Sequence, residues 1–344
     1  MATISDVARV AGVSVATVSR VINGSSAVKK STSERVYDAI RQLSYTPNPS
    51  ARNLRRKESR IIMILAPNFT NPYYALILSG ICDTSRKLGY FTLVYNFYDN
   101  LTINPQVLEE TINANKVDGT IALACNYNDY WFDQLKDTYP IVQCSEYNEN
   151  SKLPHISVDN YCAAYDTVSY LIKLGHKRIG FVGSSNSFIS TKLRYEGYAQ
   201  ALRDAKIPLN RDFCANGSAD YSFQSGKTAA RLLLSSPVKP SAIFCLSDVL
   251  ALGVIAQAQE MGISVPDWLS VTGFDDVDYT TMFHPHLTTI SIPGYELGCQ
   301  TMFLLQKVMQ KEKNIDTNIF LPHRLTIRES SGPIGRGGRG RQIG

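Results

Sequence analysis

The stretch VSVATVSRVING, residues 13–24, lies close to the start of a 344-residue chain. It surrounds one arginine, Arg20, with valines, alanine and hydroxyls, and it stops at Asn23-Gly24. A helix buried in a core carries larger side chains than these, and a solvated helix carries more charge. Small residues permit close approach to another surface, hydroxyls bond phosphates or base edges, and a guanidinium fork matches guanine. Val15, Ala16, Thr17, Ser19 and Arg20 supply that set. The stretch is expected to face the major groove of DNA.

The flanking residues agree. Thr3 followed by Asp6 is a capping-box pattern opening a helix with Val7, Ala8 and Ala11 on one face, and Gly12 closes it. Ser14 caps the next helix, in which Val18, Val21 and Ile22 face inward. Ser31 and Glu34 suggest another capping box, ahead of Val36, Ile40 and Leu43 at helical spacing. Helix, short turn and helix make a helix-turn-helix, whose second helix enters the groove.

Next comes YTPNPSARNLRRKESR, residues 45–60. Pro47 and Pro49 force an extended connection, after which Ser50 can cap a short helix from Ala51 to Arg56. Its one large apolar residue, Leu54, stands among Arg52, Arg55, Arg56 and Lys57. Such a leucine suits a wedge between base steps in the minor groove, and its neighbours suit phosphates.

Charge divides the chain the same way. Residues 1–60 hold eleven Lys/Arg against four Asp/Glu, whereas residues 61–330 hold twenty-one against twenty-six. A basic head on a mildly acidic body points to a polyanion partner for the head alone. No stretch approaches the ~20 apolar residues of a membrane helix, and the N-terminus has no apolar signal core. The seven cysteines are scattered without a C-x-x-C pair, as expected of buried free thiols in a reducing cytoplasm.

From residue 61 apolar runs alternate with amphipathic helices: IIMIL, FTLVY, GTIAL and HISVDN, then RIGFVG, SAIFCL and LSVTGF. Helices are expected near 73–88, 104–115, 161–174, 191–205, 223–235 and after Asp248. The alternation implies parallel sheets covered on both faces, and about 270 residues make two such units. Enzyme motifs fail on inspection. SGKT at 225–228 has Tyr221 where a phosphate loop needs glycine, and GFVGSS is no dinucleotide fingerprint. His284-Pro285-His286 lacks helical ligand spacing and a nearby acid, which argues against a metal. Asp275 and Asp276 follow LSVTGF at a strand end, where open α/β sheets bind organic ligands.

MATISDVARVAGVSVATVSRVING and SERVYDAIRQLSYTPNPSARNL, with ESRIIMILAPNFTNPYYALILSGI, LGHKRIGFVG, SDVLALGVIAQAQEMGISVPDWLSVTGFDD and PHLTTI, resemble the lactose-repressor family of bacterial transcription regulators. The likeness runs from residue 1 to about 330, and RRKESR, VDNYCAAYDTVSYL and GYELG look most like its cytidine-responsive branch.

The resemblance implies an α/β chain with an all-α helix-turn-helix head at 1–46 and a hinge at 47–60. The body at 61–330 would have two lobes of doubly wound parallel sheet, like periplasmic sugar-binding proteins. Lobe one would hold about 61–159 and 290–320, and lobe two about 160–289 and 321–330. DNA contacts are then expected at Thr3, Ser14, Val15, Ala16, Thr17, Ser19, Arg20, Asn23, Asn48, Ser50, Ala51, Leu54 and Arg55. An effector with several hydroxyls, nucleoside or sugar, would lie between the lobes against Asn71, Tyr73, Tyr74, Arg194, Tyr221, Ser247 and Asp275. Asp248 is expected only to cap its helix. The implied protein is a cytoplasmic homodimeric repressor that binds double-stranded operator DNA, needs no cofactor or metal and is not an enzyme. The Gly/Arg-rich tail, 331–344, is expected to be disordered and has no leucine heptads, which argues against a tetramer. A native tail adding weak phosphate attraction and a cloning remnant both fit its composition. A soluble ligand-binding protein whose head has another role is the second reading, and an enzyme on a nucleoside or sugar the third.

Overall fold

The computed structural model describes residues 2–22, 27–45, 58–67, 71–96, 105–123 and 131–334. Asn23, Asn48, Ser50, Ala51, Leu54, Arg55 and most of the Gly/Arg tail lie outside the described residues. The chain divides into two compact units, 1–59 and 60–344.

The first unit holds α1 (Ile4–Ala11), α2 (Val15–Ile22) and α3 (Lys30–Gln42). The expected capping box forms: Thr3 accepts from the Asp6 backbone, and the Asp6 carboxylate accepts from the Thr3 N–H at 3.0 Å. Gly12 ends α1 at φ 64°, a left-handed turn that favours glycine. Val7, Val18 and Val36 are fully buried and join Ala8, Ala11, Val21 and Ala39 in one small core. The capping box expected at Ser31 and Glu34 does not form. Helix α3 begins two residues earlier than that box requires, at Lys30, with Lys29 as a cap that makes no side-chain bond. Ser31 therefore already lies in the first turn, where its hydroxyl cannot cap.

The second unit carries two sheets. The first is built from β1 (Ile61–Ala66), β2 (Phe91–Asn96), β3 (Gly119–Ala122), β4 (Ile141–Cys144), β5 (His155–Val158) and β11 (Asn318–Leu321). Helices α4 (Pro72–Lys87), α5 (Pro105–Asn115), α6 (Trp131–Leu135) and α11 (Gly294–Met309) accompany it. The second is built from β6 (Ile179–Ser184), β7 (Cys214–Gly217), β8 (Ala242–Cys245), β9 (Ser270–Asp275), β10 (Thr288–Ser291) and β12 (Arg324–Thr326). Its helices are α7 (Asn160–Lys173), α8 (Ile189–Asp204), α9 (Phe223–Leu234) and α10 (Asp248–Glu260).

The strand orders are β11-β5-β4-β3-β1-β2 and β12-β10-β9-β8-β6-β7. All pairings are parallel except β10 with β12. Strand β1 shows why its run is apolar throughout. Ile62 and Ile64 enter the main core, while Met63 and Leu65 point the other way, onto Leu108, Ile112 and Phe132. A strand buried on both faces cannot alternate with polar residues.

The chain passes between the sheets three times, from β5 into α7, from β10 into α11 and from β11 into β12. Ile290 and Ser291 pair with β9 in the second sheet and Leu321 pairs with β5 in the first, so these crossings fall a residue or two beyond 290 and 321. Six described cysteines are free: Cys144, Cys245 and Cys299 are buried as expected, Cys82 and Cys214 are half-buried, and Cys162 is exposed. Cys125 lies outside the described residues.

Helices α4 and α11 pack closely because glycines face each other's backbone. A Cβ on Gly80 would stand 2.0 Å from the Tyr295 carbonyl oxygen, and one on Gly298 would stand 2.1 Å from that of Ile77. Backbone oxygens cannot rotate away, so a methyl group forces the helices apart. Gly298→Ala should therefore lose about 1–3 kcal/mol to overpacking. That outweighs the ~1 kcal/mol that alanine gains over glycine inside a helix. Thermal unfolding of the variant reads the difference, and an unchanged melting temperature would show that the two helices part freely.

Candidate functional site

Two surfaces gather the residues expected to bind something. On the first unit, α2 presents Val15, Ala16 and Arg20 to solvent, with Thr17 and Ser19 half-buried beside them. Ser14 is exposed, and its hydroxyl accepts from the Thr17 N–H at 3.2 Å and bonds the Thr17 hydroxyl at 2.9 Å. This cap offers an acceptor to one of the orphan N–H groups at the helix start, which fixes the entry of α2. Thr3 is exposed too, but its hydroxyl donates to Asp6 at 2.7 Å. That bond is the largest reason the Asp6 carboxyl is held down at about 2. An exposed face of small residues, hydroxyls and one guanidinium is what direct base readout requires.

On the second unit, Asn71, Tyr73, Tyr74, Arg194, Tyr221, Ser247 and Asp275 line one cavity together with Glu146 and Ser190. Asn71 caps α4 by accepting from the Tyr73 N–H at 3.0 Å. That turn brings the Tyr73 hydroxyl to 2.8 Å from Ser145 Oγ. Tyr221, at φ 54°, places its hydroxyl 2.5 Å from Thr191 Oγ1. Ser247 rather than Asp248 is the cap of α10, accepting from the Leu250 N–H at 3.3 Å. Asp248 instead lies wholly buried and accepts from the Val277 N–H at 3.0 Å and from the Thr289 hydroxyl.

Arg194 sits at the centre, 5% exposed. Its Nε donates to Asn160 Oδ1 at 2.8 Å, a terminal nitrogen donates to the Leu246 carbonyl, and another stands 3.8 Å from Asp275. The guanidinium carbon lies 3.6 Å above the Phe274 ring. Asp275 takes φ 117°, a backbone region that favours glycine and costs a side-chain-bearing residue about 1–3 kcal/mol. Burial pushes its carboxyl up to about 7 despite the opposing pull of Arg194. At 3.8 Å the pair is too long for a direct hydrogen bond, so desolvation prevails.

Glu146 and Ser190 had no signal in the sequence. Glu146 follows β4 in a loop without a motif, and Ser190 sits in the first turn of α8. The fold joins them across the two lobes. The Glu146 carboxylate accepts from the Ser190 hydroxyl at 2.6 Å and from its N–H at 3.1 Å, both partners buried. Burial raises the Glu146 carboxyl and these bonds oppose the rise. The space between these side chains is only about 20 Å³, far below the ~300 Å³ at which small-molecule sites begin. A broader hollow of about 510 Å³, beside β7 and α9, has no charged group in its wall. Among the described residues no helix is long and apolar enough to cross a membrane.

Comparison with known proteins follows this division. Residues 3–48 match the bacterial regulatory proteins of the lacI family, and residues 168–331 match a periplasmic binding protein-like domain. The chain is 36% identical over 331 residues to the HTH-type transcriptional repressor CytR of Escherichia coli strain K12, covering 96% of both chains. It is 37% identical to catabolite control protein A of Priestia megaterium, over 96% of this chain and 99% of that one. Among solved structures, the lac repressor dimer bound to operator and the anti-inducer ONPF shares 26% identity and a TM-score of 0.87, over 96% of this chain and 99% of that one. The chain belongs to the LacI family of bacterial regulatory proteins: it is a DNA-binding transcription regulator and not an enzyme.

Proposed function

We propose that this protein is a cytoplasmic repressor whose grip on operator DNA is set by a hydroxyl-rich effector, nucleoside or sugar, held between the lobes of the body. The observation that carries this reading is the convergence of three tyrosines, a buried arginine and two buried carboxylates where Glu146 of one lobe bonds Ser190 of the other. Paired acceptors and a guanidinium fork suit vicinal hydroxyls or the polar edge of a base, and the tyrosine rings suit a ring stacked upon them. A neighbour supports the sugar class: a CelR structure at TM-score 0.73 and 26% identity, covering 96% of this chain and all of that one, is described as a cellobiose complex.

An effector has to part the lobes, because the cavity of about 20 Å³ admits little more than a water. Binding then selects one of two lobe arrangements, and operator affinity follows that selection. On the DNA side, Ser14, Val15, Ala16, Thr17, Ser19 and Arg20 read bases and Thr3 stands at the phosphates. Asn23, Asn48, Ser50, Ala51, Leu54 and Arg55 complete the contacts on sequence grounds. One such helix reads only a few base pairs, so two copies on a two-fold operator form the working unit.

Arg20→Ala should cost ~1–3 kcal/mol on the operator and much less on random DNA. Equal losses on both, measured by titration against the two DNAs, would reduce Arg20 to a phosphate contact. Arg194→Ala should abolish the response to a panel of nucleosides and sugars while the effector-free protein still holds its operator. A normal effector titration would put the effector elsewhere.

Asp275 adds a pH dependence. Its carboxyl rises from 3.8 to about 7 on folding, so between these values the folded chain keeps a proton that the unfolded chain has released. The stability it contributes is full below 3.8 and is lost as pH rises through about 7. Native protein should therefore lose melting temperature relative to Asp275→Asn across that interval. Parallel profiles between about pH 4 and pH 8 would contradict a buried, protonatable Asp275.

A further inference from the structure

We propose that His284, His286 and Glu329 form a binding site for a zinc-class divalent cation on the surface of the second lobe. His284 Nδ1 stands 3.0 Å from one carboxylate oxygen of Glu329, and His286 Nδ1 stands 3.7 Å from the other. One potential ligand atom from each residue lies within 4.8 Å of the other two, and among the described residues no other trio of histidine, cysteine and acid does this. Around a tetrahedral zinc with bonds of ~2.0–2.1 Å, neighbouring ligand atoms are ~3.3 Å apart. The separations of 3.0 and 3.7 Å bracket that value.

The chemistry suits the cation. Two neutral imidazole nitrogens and a carboxylate oxygen are a set that zinc accepts when water fills the remaining positions. The side chain of His284 is 77% exposed, which leaves that side open to water. A magnesium-class ion is disfavoured, since it prefers oxygen throughout.

The ligands are also held in place. The His286 carbonyl accepts from the N–H groups of Glu329 and Ser330 at 3.0 and 2.9 Å. The Glu329 carboxylate in turn accepts from the His286 N–H at 3.0 Å. The two imidazoles stack with centroids 4.3 Å apart and planes 24° from parallel. Sequence spacing argued against a metal here because no acid lies near His284. The fold brings Glu329 in from the chain's last strand region, beyond the reach of any spacing rule. Of the other histidines, His155 and His176 are buried and His323 pairs with Asp166 at 3.0 Å.

The test uses untagged full-length protein stripped with chelator, titrated with cobalt(II) chloride by visible absorption and with zinc chloride by calorimetry. One equivalent per chain is expected, with the visible bands of four- or five-coordinate cobalt. His284→Asn/His286→Asn should weaken binding by about a hundredfold, as loss of first ligands exceeds the ~10–100-fold seen for their supports. Glu329→Gln should weaken it too, because glutamine still accepts from the His286 N–H but lacks the charge. His323→Asn should bind as native, and the metal-free variants should melt with the native protein. Absence of stoichiometric binding overturns the proposal. So does binding that survives loss of both surface histidines, or that is lost with His323.

Discussion

A guanidinium removed from water must find acceptors for its donors, and the body is arranged around that demand at Arg194. Asn160 comes from the start of α7, the Leu246 carbonyl from the end of β8, and Asp275 from the end of β9. Leu246 and Asp275 meet there because parallel strands all end on the same edge of their sheet, and Asn160 joins them where the chain crosses over from β5 of the first sheet. Without those acceptors the buried charge would cost several kcal/mol. With them it is a fixed cation facing the other lobe. Phe274 beneath the guanidinium adds a cation–π contact to its support.

The opposite lobe answers with carboxylate and phenol. Glu146 reaches across to the start of α8, and Tyr73 is oriented by the cap at Asn71. Each of these polar groups has a hydrogen-bond partner when the lobes are together, and the cavity of about 20 Å³ between them leaves no room for a ligand. A ligand that replaces the Glu146–Ser190 bonds with its own hydroxyls exchanges like for like, which keeps the cost of parting the lobes low. Each of the three crossings between sheets is only a few residues long, so the proposed parting of the lobes would have to be taken up there.

Much of this was legible in the sequence wherever the signal was local. The Thr3–Asp6 box, the left-handed Gly12 and the helices of the body depend on residues within a few positions of each other. Ser31–Glu34 shows the limit of that kind of reading, because the same letters fit any turn of a helix and nothing local says where α3 starts. The seven cavity residues named beforehand rested on resemblance, and their convergence is a property of topology rather than spacing. Glu146 and Ser190 were missed because a glutamate in a polar loop and a serine in a helix look like solvated residues. Their burial exists only once two lobes face each other.

The last strand region shows how distant residues come to position a cleft. After β11 the chain returns to the second sheet, and β12 adds an antiparallel edge beside β10. Arg328, just beyond it, donates to the Asp276 carboxylate at 2.6 Å and to the Leu287 carbonyl at 2.8 Å. Both members of the ion pair are less than one-fifth exposed, so solvent screens them less than a surface pair. Asp275 and Asp276 both hold positive φ, a strained turn that needs an external tie. Arg328 is that tie on one side, and Asp248, accepting from the Val277 N–H, is the tie on the other. The acid that faces Arg194 is therefore held from outside the cleft, by a residue just past the last strand of the body and by a buried aspartate of α10.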